Sequence, residues 1–236
     1  MKINYSLYLV TDPVLAGNRS VEEIVRGCVA GEVTIVQLRE KNAQTKHFLD
    51  RALRLKQITS ASGIPLIIND RLDIALACEA EGVHLGQEDM SCSLARRIAG
   101  KDMIIGVSVS TLDEALAAQA DGADYLGVGP VFATLTKADA LPPTGLDLLS
   151  EIRRSVPLPL VGIGGITPDN AGDVIHSGAD GIAVVSALVA HADPESAAKR
   201  LRSAVEKAWE NHLPQVRRCS FLQMQSKRSR TFFTRP

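Results

Sequence analysis

Short apolar runs alternate along this chain with longer segments whose apolar positions recur at helical spacing. The runs are rich in Val and Ile and lie near residues 7–10, 33–38, 65–68, 82–85, 103–107, 124–128, 159–163 and 181–185. Each is nearly continuous rather than alternating, the pattern of a strand covered on both faces. The Ala- and Leu-rich segments between them start with recognisable caps. Ser20 with Glu23, and Thr111 with Glu114, form capping boxes. Thr167-Pro168 reads as a capping hydroxyl before a proline at the first helical position. Gly82, Gly122 and Gly178 each stand where a helix gives way to a strand, and read as left-handed helix terminators.

Eight strand–helix units in strict alternation imply a parallel sheet and the α/β class. A doubly wound open sheet is the competing architecture. The glycine-rich ends of the last two strands favour closure, so the predicted fold is a (β/α)8 TIM barrel, for which 236 residues is close to the usual ~250. Residues 1–213 make one barrel domain on this reading. Residues 214–236 differ in character: Arg217, Arg218, Lys227, Arg228, Arg230 and Arg235 have no acidic residue among them. They leave the barrel with 20 basic against 27 acidic residues, although the whole chain carries only -1. A basic arm for an acidic partner is one reading of this tail. Without helical periodicity, it is expected instead to be a disordered or appended tail outside the fold.

The near-neutral balance gives no reason to expect a nucleic-acid or membrane partner. No run reaches the roughly 18 apolar residues of a membrane span, and Met1 to Tyr5 lack the apolar stretch of a signal peptide. Cys28, Cys78, Cys92 and Cys219 show no metal or redox spacing, and read as reduced, mostly buried thiols. A cytoplasmic location is the expectation; homo-oligomerisation stays open.

In a barrel of this kind, polar residues at the C-terminal strand ends carry the chemistry. The second strand ends Gln37-Leu38-Arg39-Glu40-Lys41, and strand periodicity aims Arg39 the same way as Gln37. The third ends Asn69-Asp70-Arg71 and the fourth His84-Leu85-Gly86-Gln87-Glu88-Asp89. Carboxylates from neighbouring strand ends can share a hard cation, and Mg²⁺ commonly takes one or two of them together with phosphate oxygens. His84 lies within its strand and reads either as a core residue or as a group serving the mouth. The fifth strand offers Ser108, without the surroundings of a nucleophile elbow. After the sixth, Gly129 to Lys137 place Thr134, Thr136 and Lys137 on a long loop followed by Pro142-Pro143, which reads as a lid. Gly162 to Ile166 and Val185-Ser186 follow the last two strands, where glycines let backbone N–H groups approach an anion. Phosphate sites of such barrels are often built there.

Together these segments resemble the thiamine phosphate synthase family, over roughly residues 5–210. The resemblance rests on Gln37 to Lys41, Asn69-Asp70-Arg71, His84 to Gln87 with Asp89, Ser108, Thr134 to Lys137, Gly162 to Ile166 and Val185-Ser186, all in order. It implies a transferase that displaces pyrophosphate from a pyrimidine methylene and joins that carbon to a thiazole nitrogen. Gln37, Leu38, Arg39, Glu40, Lys41, Asn69, Ser108 and Lys137 would then bind the pyrimidine diphosphate, with Arg39, Lys41, Ser108 and Lys137 assisting its reaction. Asp70 and Asp89 would hold Mg²⁺, and Thr134, Leu135, Thr136, Gly165, Val185 and Ser186 the thiazole phosphate. Ala133 departs from the family, which often has proline there. A related thiazole tautomerase, or a catalytically silent ligand-binding barrel, would not need the joint presence of Arg39, Lys41, Asp70, Asp89 and Lys137.

Overall fold

A computed structural model describes residues 3–134, 136 and 142–212. Eight strands form a closed, all-parallel barrel in chain order: β1 (Leu7–Val10), β2 (Ile35–Leu38), β3 (Leu66–Asn69), β4 (Gly82–Leu85), β5 (Ile104–Val109), β6 (Tyr125–Val128), β7 (Leu160–Ile163) and β8 (Gly181–Val184). Around it lie α1 (Pro13–Ala16), α2 (Val21–Ala30), α3 (Thr45–Ala61), α4 (Leu72–Ala77), α5 (Cys92–Ala99), α6 (Leu112–Ala120), α7 (Gly145–Ser155), α8 (Ala171–His176), α9 (Ser186–Val189) and α10 (Pro194–His212). The predicted (β/α)8 barrel is therefore the fold. β1 closes the ring against β8, with Leu7 beside Ile182 and Leu9 beside Val184.

The continuous apolar runs divide into two cores by the two-residue period of a strand. Leu7, Leu9, Val36, Leu38, Leu66, Ile68, Val83 and Leu85 face outward and pack under the helices. Tyr8, Val10, Ile35, Ile67, Tyr125, Val161 and Ala183 fill the barrel itself. Free Cys28, Cys78 and Cys92 are buried, as expected. No helix among the described residues is long and apolar enough to cross a membrane.

The bottom of the barrel repeats one clasp. Glu81, Asp124 and Asp180 immediately precede or lead into β4, β6 and β8. Each accepts a backbone N–H at the start of the strand before it: Leu66 at 2.8 Å, Ile105 at 2.7 Å and Leu160 at 2.9 Å. Each is also paired with a cation from the helix that leads into that earlier strand, Lys56 of α3, Arg96 of α5 or Arg153 of α7. These clasps satisfy strand donors that begin outside the ladder.

Both predicted capping boxes form: the Glu23 N–H donates to Ser20 Oγ at 3.1 Å and the Glu114 N–H to Thr111 Oγ1 at 3.2 Å. Two local expectations need correction. α8 starts at Ala171, not after Thr167, because the Asn170 side chain organises the turn. Asn170 accepts the Thr167 N–H at 2.8 Å and donates to the Gly165 carbonyl at 3.0 Å. Gly122 and Gly178 do have positive φ, but Gly82 does not; at that joint Glu79 takes φ 54°. Gly82 is instead a strand residue without room for a side chain, since a Cβ there would collide with the Ile104 carbonyl.

Candidate active site

The mouth of the barrel begins at β1 and β2. Gln37 points inward, is almost fully buried, and donates from Nε2 to the Tyr8 hydroxyl at 2.8 Å. Arg39 is aimed the same way, as its spacing predicts, and lines the same small inner cavity of about 40 Å³ as Gln37, Asn69, His84 and Ser108. Its backbone N–H donates to Thr11 Oγ1 at 3.0 Å and its Nη1 reaches Asp12 Oδ2 at 3.1 Å. Asp12 also caps α1, accepting the N–H groups of Val14 and Leu15. One buried carboxylate thus orients the guanidinium.

Leu38 and Glu40 alternate to the other side. Leu38 is fully buried beneath the helices, and the Glu40 carboxylate is taken by Arg51 of α3. Neither side chain joins Gln37 and Arg39. Lys41 is exposed at the rim, where its charge acts on Asp70. Lys137 and Leu135 lie outside the described residues, as do residues 138–141 of the proposed lid and the basic tail.

Asp70 follows β3 in the left-handed region, φ 64°, a conformation that aspartate tolerates better than most residues. Its N–H donates to the His84 carbonyl at 2.8 Å, tying the turn to β4. The Asp70 carboxyl is pushed up to about 6, first by burial and then by hydrogen bonding to, and repulsion from, Asp89; Lys41 and Arg39 oppose the shift. Asp89 Oδ2 meanwhile accepts the Gly86 N–H at 2.7 Å. Two carboxylates from adjacent strand ends are therefore held face to face beside two cations. No group of three or more His, Cys, Asp or Glu side chains is placed to hold a metal among the described residues. The pair alone fits Mg²⁺, which accepts one or two carboxylates when phosphate and water oxygens complete its octahedron. Arg71, next in the chain, turns to Asp73 and Thr45.

β5 supplies Ser108, whose Oγ lies 2.8 Å from His84 Nε2 and whose carbonyl accepts from Gln87 Nε2 at 2.6 Å. This resembles a Ser–His pair, but the other ring nitrogen, His84 Nδ1, meets the Tyr125 phenol at 2.9 Å instead of a carboxylate. Opposite, a cavity of about 450 Å³ runs from Gly86 and Ser108 to Thr134, Thr136, Gly165, Val185 and Ser186. Thr134 Oγ1 accepts the Thr136 N–H at 3.2 Å. Gly165 has φ 65°, and a Cβ there would sit 2.6 Å from the Ala133 carbonyl. The structure brings the predicted threonine, glycine and serine positions around this one space.

Sequence reasoning missed Tyr8, Asp12 and Tyr125, and named Gln87 without giving it a role. Asp12 before Pro13 carries the signal of a helix cap, and the tyrosines that of ordinary core.

Residues 7–188 match the family described as thiamine monophosphate synthase. The chain belongs to that family. A thiamine-phosphate synthase from Chloroflexus aurantiacus is 51% identical over 211 residues, covering 89% of this chain and 97% of its own. One from Albidiferax ferrireducens is 53% identical over 200 residues, covering 85% and 91%. A solved thiamine phosphate pyrophosphorylase from Pyrococcus furiosus superposes with a TM-score of 0.81 at 43% identity, covering 87% of this chain and 97% of that one. The stretch matched to the thiamine monophosphate synthase family runs from the first residue of β1 into α9, and so includes every strand end described above.

Proposed function

We propose that the protein is a thiamine-phosphate synthase. It would condense 4-amino-2-methyl-5-(diphosphooxymethyl)pyrimidine with a thiazole phosphate, giving thiamine phosphate and pyrophosphate. The observation carrying this reading is the asymmetry of the mouth. Its β2–β4 side gathers Arg39, Lys41 and two opposed carboxylates. Its β6–β8 side offers hydroxyls and glycine backbone, with Thr134, Thr136, Gly165 and Ser186 around the larger cavity.

A diphosphate that leaves needs its growing charge neutralised, whereas a phosphate that is only a handle needs donors. Arg39, oriented by Asp12, and Lys41 attract the diphosphate oxygens. Asp70 and Asp89 would hold Mg²⁺, which supplies further neutralisation of the leaving group when bound. The methylene C–O bond breaks with its electron pair leaving on pyrophosphate. The electron-rich aminopyrimidine carries the positive charge left on the methylene, and the thiazole nitrogen lone pair forms the new C–N bond. No general base is consumed, consistent with a mouth in which the histidine beside Ser108 turns its Nδ1 to the Tyr125 phenol. The protein's part is to fix two reactants in line.

The test follows pyrophosphate and thiamine phosphate from purified protein with both substrates, with Mg²⁺ or with a chelator. Product only with the metal is expected; no product with Mg²⁺ present would sink the reading.

A further inference from the structure

Five polar side chains cross the barrel in one unbroken line. Gln37 Nε2 meets the Tyr8 hydroxyl at 2.8 Å, and Tyr8 meets the Tyr125 hydroxyl at 2.8 Å. Tyr125 then meets His84 Nδ1 at 2.9 Å, and His84 Nε2 meets Ser108 Oγ at 2.8 Å. The line passes through β2, β1, β6, β4 and β5, and begins and ends at residues of the candidate site. It is deeply enclosed: Tyr8 and Tyr125 are each 1% exposed, Gln37 4% and His84 8%. The strands leave space for it. A Cβ on Gly106 would fall inside the Tyr125 ring, and one on Gly127 would sit 3.0 Å from His84 Cε1.

Proton counting gives this line a direction. The Gln37 amide nitrogen can only donate, so the Tyr8 oxygen accepts and its single proton goes on to Tyr125. The Tyr125 oxygen accepts that proton and its own goes to His84 Nδ1. His84 is then protonated on Nε2 and donates to Ser108. With the opposite tautomer, Tyr125 would donate back to Tyr8. The Tyr8 oxygen would receive two protons and its own would be stranded in the core, at the cost of an unmade buried hydrogen bond. Burial also holds both phenols protonated, raising them well above their ordinary range.

We infer that Tyr8, Tyr125 and His84 are positioning residues that fix the Nε2–H tautomer of His84, occupy one lone pair of Ser108, and leave the Ser108 proton as the donor facing the mouth. The role of that donor rests on the proposed function: an anionic pyrimidine diphosphate needs a proton offered at Ser108, and a lone pair there would repel it. The two phenols set the polarity of a hydroxyl they reach only through His84.

The test has one arm without substrate and one with it. Nitrogen-15 spectra of the full chain labelled at histidine report the His84 tautomer, assigned by loss of its signals in His84→Gln. The wild type is expected to show Nε2 protonated and Nδ1 bare; a protonated Nδ1 would overturn the inference. Tyr125→Phe keeps the ring and removes the link. It should yield mixed tautomers and a kcat lower by roughly tenfold, with the KM for thiazole phosphate unchanged. Unchanged kcat in that variant would overturn the positioning role. His84→Gln places an amide N–H near the position of Nε2, so it should retain more turnover than His84→Leu; equal losses would also count against it. A wild type with the expected tautomer that makes no thiamine phosphate would defeat the reaction assigned to the site and leave the direction of the line standing.

Discussion

The two sides of the barrel mouth are built on different physics. Between β2 and β4, Arg39, Lys41, Asp70 and Asp89 hold charges of both signs close together, with Arg39 tethered by Asp12 and Asp70 pushed up toward 6. Between β6 and β8 the lining is backbone and hydroxyls, and the position with no room for a side chain is Gly165, at φ 65°, where a Cβ would meet the Ala133 carbonyl. A charged site is tuned by pH and metal; a site of backbone donors is tuned by shape. In the proposed reaction, that contrast separates an anion that is to leave from one that is to stay.

The comparison breaks most sharply on the charged side. Asp89→Ala is expected to lower turnover by on the order of 10²-fold or more while thiazole-phosphate binding, measured by calorimetry, stays within a few-fold. Equal loss of both would merge the two sides. Gly165→Ala should do the reverse: the KM for thiazole phosphate rises. The melting temperature should also fall, because placing a Cβ at positive φ costs about 1–3 kcal/mol.

The pH dependence sharpens the contrast. The folded value of Asp70, about 6, lies above the ordinary 3.8. The contribution of this group to stability is therefore fully present below the ordinary value and is lost as pH rises through about 6. Mg²⁺ binding competes with that proton, so the stabilisation by Mg²⁺ seen in thermal melts should grow as pH rises through about 6. Asp89→Asn should move that dependence to lower pH. The smallest effect expected is from removing residues 214–236: kcat/KM for both substrates should stay within about twofold.

The barrel was legible because strands covered on both faces leave unbroken apolar runs, and nothing else in the chain competes with those signals. Gly82 shows the limit. A glycine at a helix-to-strand joint has two physical causes, backbone conformation and lack of space, and only the fold separates them. Within the site, residue type and order located Arg39, Asp70, Asp89 and Ser108 at strand ends. Within residues 37 to 41, the alternation of a strand sends the Leu38 and Glu40 side chains away from those of Gln37 and Arg39. Asp12, Tyr8 and Tyr125 stayed hidden because their partners Arg39, Gln37 and His84 are 27, 29 and 41 residues away in the chain.

The pairing of Leu7 with Ile182 has a consequence for how the chain is made. The first strand emerges long before the last strand that completes its ladder. Until residue 184 is available, both edges of the growing sheet carry unpaired N–H and C=O groups that can recruit another chain. Closure of the ring is a contact between distant parts of the sequence, formed late and at a large cost in loop entropy. Synthesis at lower temperature or reduced rate should therefore raise the soluble yield more than it would for a protein whose first strand pairs with its second alone.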